Sequence, residues 1–252
     1  MKILITRPRV QAAGFADKLR AAGFEPIFFP VIEIQPIESN PALDDALKNL
    51  DKYAWVVFTS ANAVPPTVSL HFLQKWGECP EGTRRVRIAA VGPKTAESLR
   101  QRGVEPDFIP EEYVGGAIMS GLGDVKDKWI LLPRAEIASK ELPAAIAQAG
   151  GIAHEIMVYR TLPAAVDADG LNALKAGVDV VTFTSASTVE NFVAVMRQNK
   201  LDPKHLPNNP LFACIGPVTE KAAHKAGLEN LVVAKEYTTD GLIEVITHLE
   251  NL

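Results

Sequence analysis

The sequence predicts an α/β fold with two doubly wound, flavodoxin-like parallel sheets. Strand-like and helix-like segments alternate along the 252 residues, which is typical of βαβ units. Several short motifs also occur twice, in the same order and about 125 residues apart. Solenoid repeats run only about 20 to 50 residues, so a repeat of half the chain predicts two domains instead.

The opening unit is a strand, a helix and a second strand. Lys2–Thr6 and Glu25–Phe29 are short apolar runs that predict strands. Between them, Gln11–Ala22 has helical apolar spacing and stops at Gly23, a residue that commonly follows the last turn of a helix. The same unit recurs later as a strand at Trp129–Leu132 and a helix at Ile137–Ala149.

The remaining strands are near-continuous apolar, β-branched runs, the pattern of strands buried on both faces of a parallel sheet. These runs are Trp55–Phe58, Ile88–Val91, Val178–Phe183 and Phe212–Ile215. Helical patterns follow at Lys94–Gln101 and Thr219–Ala226. Right-handed crossovers between such strands place all their carboxyl ends at one edge, where ligands bind in doubly wound sheets.

Two stretches interrupt this alternation. Val31–Pro41 and Val158–Ala165 contain prolines that disfavour a helix or a central strand, so both are predicted to be extended linkers. Each lies inside one half of the sequence, which is expected if the chain crosses between domains twice. Pro65 and Pro66 predict a separate turn over residues 60–64 and a helix from about Pro66, whereas Ser185–Asn191 should run straight into its helix.

Composition limits the possible functions. The chain is 47% hydrophobic and 22% charged, as expected of a globular protein, and its net charge of −4 argues against binding nucleic acid or membrane surfaces. Cys79 and Cys214 lack the spacing of a metal site or disulfide framework, so free thiols in a reducing compartment are predicted. The sequence enters a strand at its start with no secretion leader, and a cytoplasmic protein is therefore expected.

The repeated motifs supply the candidate site residues. They pair Phe58–Ala61 with Phe183–Ala186, Val91–Thr95 with Ile215–Thr219, and Leu4–Arg7 with Leu131–Arg134. Ser60 and Ser185 follow buried strands, where a serine either caps a helix or, together with free amides, receives an anionic oxygen. In the Gly-Pro-x-Thr motif, glycine admits a ligand to the backbone and proline opens a helix, so Thr95 and Thr219 would lie in its first turn.

Two arginines and a tyrosine complete the candidates. Arg7 and Arg134 each follow a first strand, where a guanidinium binds carboxylate or phosphate or simply lies exposed on the surface. Tyr159 lies on the second linker, where it would reach a cleft between domains or pack its ring against the linker. The histidines are scattered, and no metal or cofactor motif occurs. An enzyme with this sequence would work by holding its substrate in a chosen shape.

Taken together, these segments resemble the uroporphyrinogen-III synthase family along essentially the whole chain. The resembling segments are Leu4–Pro8, Val57–Val64, Ala90–Thr95, Leu131–Arg134, Val158–Thr161, Thr182–Ser185, Thr188–Phe192, Ile215–Thr219 and Tyr237–Leu242. The resemblance implies a bilobal protein whose two domains are joined by a two-stranded β linker. It implies a discontinuous first domain of residues 1–34 plus 167–252, a second of residues 42–156, and linker strands at 35–41 and 157–166.

The resemblance also implies the reaction. Family members close hydroxymethylbilane to uroporphyrinogen III in haem and sirohaem biosynthesis, with loss of water, inversion of ring D, and no metal or organic cofactor. Tyr159 and Thr219 would be catalytic. The substrate-binding residues would be Arg7, Ser60, Asn62, Thr95, Arg134, Ser185 and Gly216. The repeated turns are then expected to face one another across a single cleft.

The partners follow from the same resemblance. The expected partner is a linear tetrapyrrole polycarboxylate, handed over transiently from hydroxymethylbilane synthase to a monomeric enzyme. The main alternative is a non-catalytic two-domain protein that binds an anionic ligand, since fold does not fix function. A transferase for phosphorylated substrates is a third possibility, against which the absence of a phosphate or metal motif counts.

Overall fold

The computed structural model describes residues 1–77, 86–111 and 115–250. The chain divides into two compact units, of which unit 1 comprises Met1–Glu33 and Leu162–Leu252, and unit 2 comprises Ile34–Thr161. Cys79 lies outside the described residues. No helix within the described ranges is long and apolar enough to cross a membrane.

The elements alternate as the sequence predicts. The strands are β1 (Lys2–Ile5), β2 (Glu25–Phe28), β3 (Ile32–Pro36), β4 (Tyr53–Phe58), β5 (Arg87–Ala90), β6 (Trp129–Ala135), β7 (Ile152–Pro163), β8 (Val180–Phe183), β9 (Leu211–Cys214) and β10 (Leu231–Val233). The helices are α1 (Arg9–Ala21), α2 (Pro41–Lys48), α3 (Val64–Thr67), α4 (Leu70–Gly77), α5 (Pro93–Arg100), α6 (Met119–Leu122), α7 (Glu141–Gln148), α8 (Ala168–Ala176), α9 (Ala186–Gln198), α10 (Pro217–Ala226) and α11 (Thr239–Glu250). The predicted α/β class is therefore confirmed.

Unit 1 is built on a five-stranded sheet in the order β10-β9-β8-β1-β2. Its neighbouring strands are all parallel. Counted along the chain from the β2 edge, this order is 2-1-3-4-5, which is the flavodoxin order. Thr6 and Thr182 reinforce the pairing of β1 with β8, because the Oγ1 of each donates a hydrogen bond to a carbonyl of the other strand, at 2.6 and 3.0 Å.

Unit 2 contains the same order with the chain entering it at a different strand. Its sheet runs β3-β7-β6-β4-β5, and β7, β6, β4 and β5 are parallel neighbours. If β6 and β7 are numbered 1 and 2, and β4 and β5 are numbered 3 and 4, the spatial order β7-β6-β4-β5 is again 2-1-3-4. A parallel bridge from Ala89 to Phe108 occupies the fifth position. Each sheet thus combines the first two strands of one copy of the repeat with the later strands of the other copy.

Strands β3 and β7 are the segments through which the chain passes from one unit to the other. Hydrogen bonds run from the Ile37 amide to the Val158 carbonyl and from the Ala164 amide to the Val31 carbonyl, at 3.0 and 3.1 Å. The numbering rises along one strand as it falls along the other, so the pair is antiparallel. The second predicted linker is the continuation of β7, which runs 12 residues without a break.

Both faces of each sheet are buried, as a doubly wound fold requires. In β1, Leu4 packs into one apolar cluster while Ile3 and Ile5 pack into another on the opposite face. In β4, Val56 and Trp55 divide in the same way between two clusters. Each fully buried large apolar side chain contributes about 1.5–3 kcal/mol relative to an exposed one, so these strands anchor the fold.

Two local predictions need correction. The helix predicted over Ile137–Ala149 begins at Glu141 instead. Just before this start, the Ser139 Oγ accepts a hydrogen bond from the Glu141 amide at 3.2 Å, and the Ser139 carbonyl accepts one from the Arg134 guanidinium, contacts that favour a turn there. After Ser60 a separate turn does form, as a 3₁₀ turn at Ala61–Ala63, but the following helix starts at Val64 and breaks after Thr67.

Candidate active site

The candidate residues of unit 1 follow neighbouring strands of its sheet at the edge where the strands end, which we call the carboxyl edge. Arg7 follows β1, Ser185 follows β8, and the turn at Gly216 follows β9. Because these three strands are adjacent and parallel, the structure brings the residues to one edge. This is the place where doubly wound sheets bind their ligands.

The Gly-Pro-x-Thr turn opens α10 at this edge. Gly216 has extended backbone angles, and its carbonyl accepts the amides of Thr219 and Glu220 at 3.1 and 3.0 Å. Pro217 has no N–H, so the Val218 amide is the first-turn donor left without an intrahelical acceptor. Thr219 is 3% exposed and lies within this first turn. A free amide at a helix N-terminus is suited to an anionic oxygen.

Ser185 serves as the N-cap of α9. Its Oγ accepts the Thr188 amide at 3.2 Å, the Thr188 Oγ1 accepts the Ser185 amide at 3.2 Å, and the two residues form a complete capping box. The Ser185 Oγ also lies 2.9 Å from the Ser187 Oγ. The structural role weighed from the sequence is therefore present, and a ligand at Ser185 would meet a hydroxyl that is already oriented.

Arg7 is a partly buried cation whose guanidinium has few partners. Its Nη2 donates to the Gln11 Oε1 at 3.4 Å, at the long end of hydrogen-bonding distances. Its Nε is buried and has no hydrogen-bond partner among the residues that the structure describes. Burial alone lowers the pKa of the Arg7 guanidinium below its ordinary value, with no contribution from a carboxylate. An anionic ligand would supply the missing counter-charge.

Unit 2 gathers its candidates in the same manner. Ser60 and Asn62 follow β4, and Thr95 lies in the first turn of α5 after β5. The Thr95 amide bonds to the Gly92 carbonyl at 3.1 Å, as Thr219 does to Gly216. Among the described residues, the Ser60 Oγ accepts the Asn62 amide alone, at 3.2 Å, and a 3₁₀ turn instead of a long helix follows it.

Arg134 lies at the end of β6, where its guanidinium is engaged within the protein. Its side chain is 7% exposed, and its Nη1 donates to the Glu155 Oε2 at 2.6 Å. Its Nη2 donates to the Ser139 carbonyl, while Lys140 pairs with the same Glu155 carboxylate at 3.0 Å. The Nε is buried without a partner in the described ranges, as in Arg7. Glu155 is therefore the counter-ion of Arg134, whereas no described carboxylate pairs with Arg7.

Tyr159 lies on β7 beside the end of β6, at the carboxyl edge of unit 2. The register of this parallel pair shifts between Arg134 and Ala135, which pair with Met157 and Tyr159 and leave Val158 as an extra residue. Because of this shift, the side chains of Val158 and Tyr159 pack in the same apolar cluster, whereas consecutive strand residues normally lie on opposite faces of the sheet. Tyr159 is 6% exposed, and no other described residue forms a hydrogen bond with its phenol oxygen.

The structure thus sorts the candidates into two groups. Arg7, Ser185, Gly216 and Thr219 share the edge of unit 1, whereas Ser60, Asn62, Thr95, Arg134 and Tyr159 share the edge of unit 2. In the described part of the chain no group of three or more His, Cys, Asp or Glu side chains could hold a metal ion. Sequence reasoning gave no role to Tyr237, whose exposed ring lies against Gly216, although its place in the matched segment Tyr237–Leu242 was a usable signal.

Comparisons with known proteins match most of the chain. The family model described as "Uroporphyrinogen-III synthase HemD" matches residues 13–244. The uroporphyrinogen-III synthase of Synechococcus elongatus is 34% identical over 97% of this chain and 93% of its own length. That of Chlorobaculum parvum is 30% identical over 90% of each chain.

Solved structures give the same fold at lower sequence identity. The uroporphyrinogen III synthase of Thermus thermophilus matches with a TM-score of 0.63 and 20% identity, covering 100% of both chains. The enzyme of Helicobacter pylori matches with a TM-score of 0.62 and 19% identity, covering 98% of this chain and 99% of its own. These two likenesses support the two-domain fold.

Proposed function

The chain belongs to the uroporphyrinogen-III synthase family, and we propose that the side chains at its two carboxyl edges carry out that family's reaction. The protein is an enzyme of tetrapyrrole biosynthesis that closes hydroxymethylbilane to uroporphyrinogen III, with loss of water and inversion of ring D. The observation that carries this function is the family match over residues 13–244, which includes both units and every candidate residue except Arg7.

The edges are suited to a substrate with many carboxylates. The N-termini of α5, α9 and α10 point to these edges, and free first-turn amides there receive anionic oxygens. Arg7 is the partly buried cation of unit 1 for which the structure describes no carboxylate partner, so it would bind an acetate or propionate group of the substrate. Ser60, Asn62, Thr95, Ser185 and Gly216 would provide further polar contacts, and Arg134 a weaker one because Glu155 already neutralises it.

We assign the loss of the substrate hydroxyl to Tyr159. Its phenol would act as a general acid that protonates that hydroxyl, which departs as water; the pyrrole N–H proton then restores the phenol, and an azafulvene is left. The described residues place no competing hydrogen bond on the phenol oxygen, and the apolar cluster around the ring restricts its orientation. The substituted α-carbon of ring D then attacks the azafulvene methylene carbon, and the resulting spiro intermediate rearranges to the inverted ring.

Thr219 would hold the substrate in the conformation that leads to inversion. The unassisted closure gives the non-inverted isomer, so the enzyme must control geometry as well as reactivity. Thr219 is 3% exposed, and its amide donates a hydrogen bond to the Gly216 carbonyl. Both features limit the positions that its hydroxyl can take. We further propose a monomer that works in the cytoplasm without a cofactor and receives its substrate transiently from hydroxymethylbilane synthase.

A direct assay tests the function. Freshly made hydroxymethylbilane is added to the purified protein, and the uroporphyrinogen isomers are separated after oxidation to uroporphyrins. Accumulation of isomer III is expected; isomer I alone, as without protein, would reject the activity. A non-catalytic protein that binds anionic ligands would give that second result, and the named relatives do not favour it.

A further inference from the structure

One aromatic side chain at the carboxyl edge of unit 1 is largely exposed and has no role in the core. Tyr237 is 66% exposed and follows β10, the strand next to β9. It therefore lies at the same edge as Arg7, Ser185 and Gly216. Single exposed apolar residues are common on proteins, so exposure alone does not indicate a role. The way this ring is held is more informative.

The turn that carries Tyr237 is fixed at both ends. The Thr238 amide bonds to the Glu236 carbonyl at 2.7 Å, and the Thr238 Oγ1 accepts the Gly241 amide at 3.0 Å. A Cβ atom on Gly241 would lie 2.2 Å from the Glu236 carbonyl oxygen, so the turn packs directly on the first turn of α11. The next residue, Leu242, is fully buried and anchors that helix in the core.

The ring itself lies against the turn that opens α10. A Cβ atom on Gly216 would lie 3.2 Å from the Tyr237 Cδ1, so glycine permits the ring to approach the backbone closely. Val218, two residues after Gly216, has an amide without an intrahelical acceptor and is 73% exposed. An aromatic face, an exposed aliphatic side chain and a free helix N-terminal amide are thus presented together on a rigid support.

We propose that Tyr237 is a positioning residue that packs against a pyrrole ring of the substrate while the N-terminus of α10 receives a carboxylate of that same ring. This inference rests on the proposed function. A substituted pyrrole carries an aromatic face next to acetate and propionate groups. The turn likewise places the Tyr237 ring next to the amide donors at the N-terminus of α10. Offset or edge-to-face aromatic contacts favour such packing.

The expected consequence is control of the isomer formed. A pyrrole ring that is not held at this turn can leave the inverting geometry, after which the azafulvene closes directly to isomer I. An aromatic contact of this kind changes affinity by about 2- to 12-fold. Loss of the Tyr237 ring should therefore raise KM by about that factor and increase the fraction of isomer I, with a smaller change in kcat.

Three variants test this assignment in the full-length enzyme with hydroxymethylbilane as substrate. Tyr237→Leu removes the aromatic ring, whereas Tyr237→Phe and Tyr237→Trp keep one. Trp129→Leu is the matched control, because Trp129 is 44% exposed but begins β6 at the opposite edge of the unit 2 sheet. Tyr237→Leu should raise KM and the isomer I fraction, both aromatic variants should restore them, and the control should leave both unchanged.

The outcomes separate this inference from the proposed function. If the unaltered enzyme makes no isomer III, the proposed function is rejected. If it does, and Tyr237→Leu has the same KM and isomer ratio, only the role of Tyr237 is rejected. A loss shared equally by Tyr237→Phe and Tyr237→Leu would likewise overturn it, because the ring and not the hydroxyl is proposed to make the contact.

Discussion

The two carboxyl edges have nearly the same backbone but use their charged side chains differently. The turns at Gly92 and Gly216 are both extended, with φ of −161° and −176°, and each glycine carbonyl accepts the amide of the threonine three residues later at 3.1 Å. The first-strand arginines diverge. Arg134 forms an ion pair with Glu155, whereas Arg7 donates a long hydrogen bond of 3.4 Å to the uncharged side chain of Gln11.

This difference shows that equivalent positions of a duplicated unit can keep the same backbone while their side chains make different contacts. In unit 2 the arginine pairs within the protein, and the bulge in β7 packs the Tyr159 ring in the apolar cluster. In unit 1 the Arg7 guanidinium has no described carboxylate partner, and α9 begins directly after Ser185. We therefore expect substitutions at matched positions to have unequal effects, and each pair below tests that expectation.

The largest effect is expected at Tyr159, which has no tyrosine counterpart in unit 1. Tyr159→Phe should lower kcat by about 10²–10⁴-fold, the usual contribution of a general acid. The Tm should be unchanged, because no described residue depends on the phenol oxygen for a hydrogen bond. Single-turnover kinetics with hydroxymethylbilane would measure the loss. An unchanged rate would remove Tyr159 from the chemistry, and a loss of a few fold would indicate positioning only.

The two arginines should respond in opposite ways. Arg7→Gln should raise KM by about 10- to 150-fold, since hydrogen bonds to charged groups contribute about 1.5–3 kcal/mol. Arg134→Gln should mainly reduce stability, by about 1–3 kcal/mol, because it leaves the Glu155 carboxylate with Lys140 as its remaining partner. Steady-state kinetics and urea unfolding of both variants would measure this. Equal changes in KM for the two would contradict the asymmetry.

The paired threonines allow a smaller and sharper test. Thr219→Val and Thr95→Val each remove one hydroxyl while keeping nearly the same volume. One hydrogen bond contributes about 0.5–1.5 kcal/mol, so we expect a roughly 2- to 12-fold loss. For Thr219 this loss should fall on kcat and for Thr95 on KM. If both variants change the same constant by the same factor, the catalytic assignment of Thr219 has no support.

The smallest effects on stability are expected at the two paired serines. Ser185→Ala removes the cap of a 13-residue helix and should cost about 1 kcal/mol. Ser60→Ala should cost only a few tenths, because the Ser60 Oγ accepts one amide at the start of a three-residue turn. Urea unfolding curves with unchanged m values would measure both. A larger loss for Ser60→Ala would mean that the turn before Pro65 matters more to unit 2 than its hydrogen bonds indicate.

The class of fold and most elements could be predicted because they depend on local patterns. Apolar runs and glycine stops predicted β1, β8 and α10 to within about two residues. The start of α7 could not, because it is set by hydrogen bonds of Ser139 and Arg134 that involve the end of β6. Local spacing carries no information about such contacts.

The candidate site residues could be named from the sequence, but their hydrogen-bond and packing partners could not. The repeat identified both arginines, yet it could not show that Glu155, on the next strand of the sheet, neutralises Arg134. The resemblance identified Tyr159, but the bulge that turns its ring into the core follows from strand register, which the sequence does not display. The same is true of Tyr237, whose contact with Gly216 joins two strand ends.

The exchange of strands between the two copies has a consequence for synthesis on the ribosome. Unit 2 is one continuous segment, Ile34–Thr161, and can close its sheet as soon as β7 has emerged. Unit 1 cannot, because β1 pairs with β8 and the Lys2 amide bonds to Asp179, 177 residues later. Nascent β1 must therefore remain without its β8 neighbour while unit 2 folds, and the β1–β2 segment is the part that most needs protection from aggregation before the chain is complete.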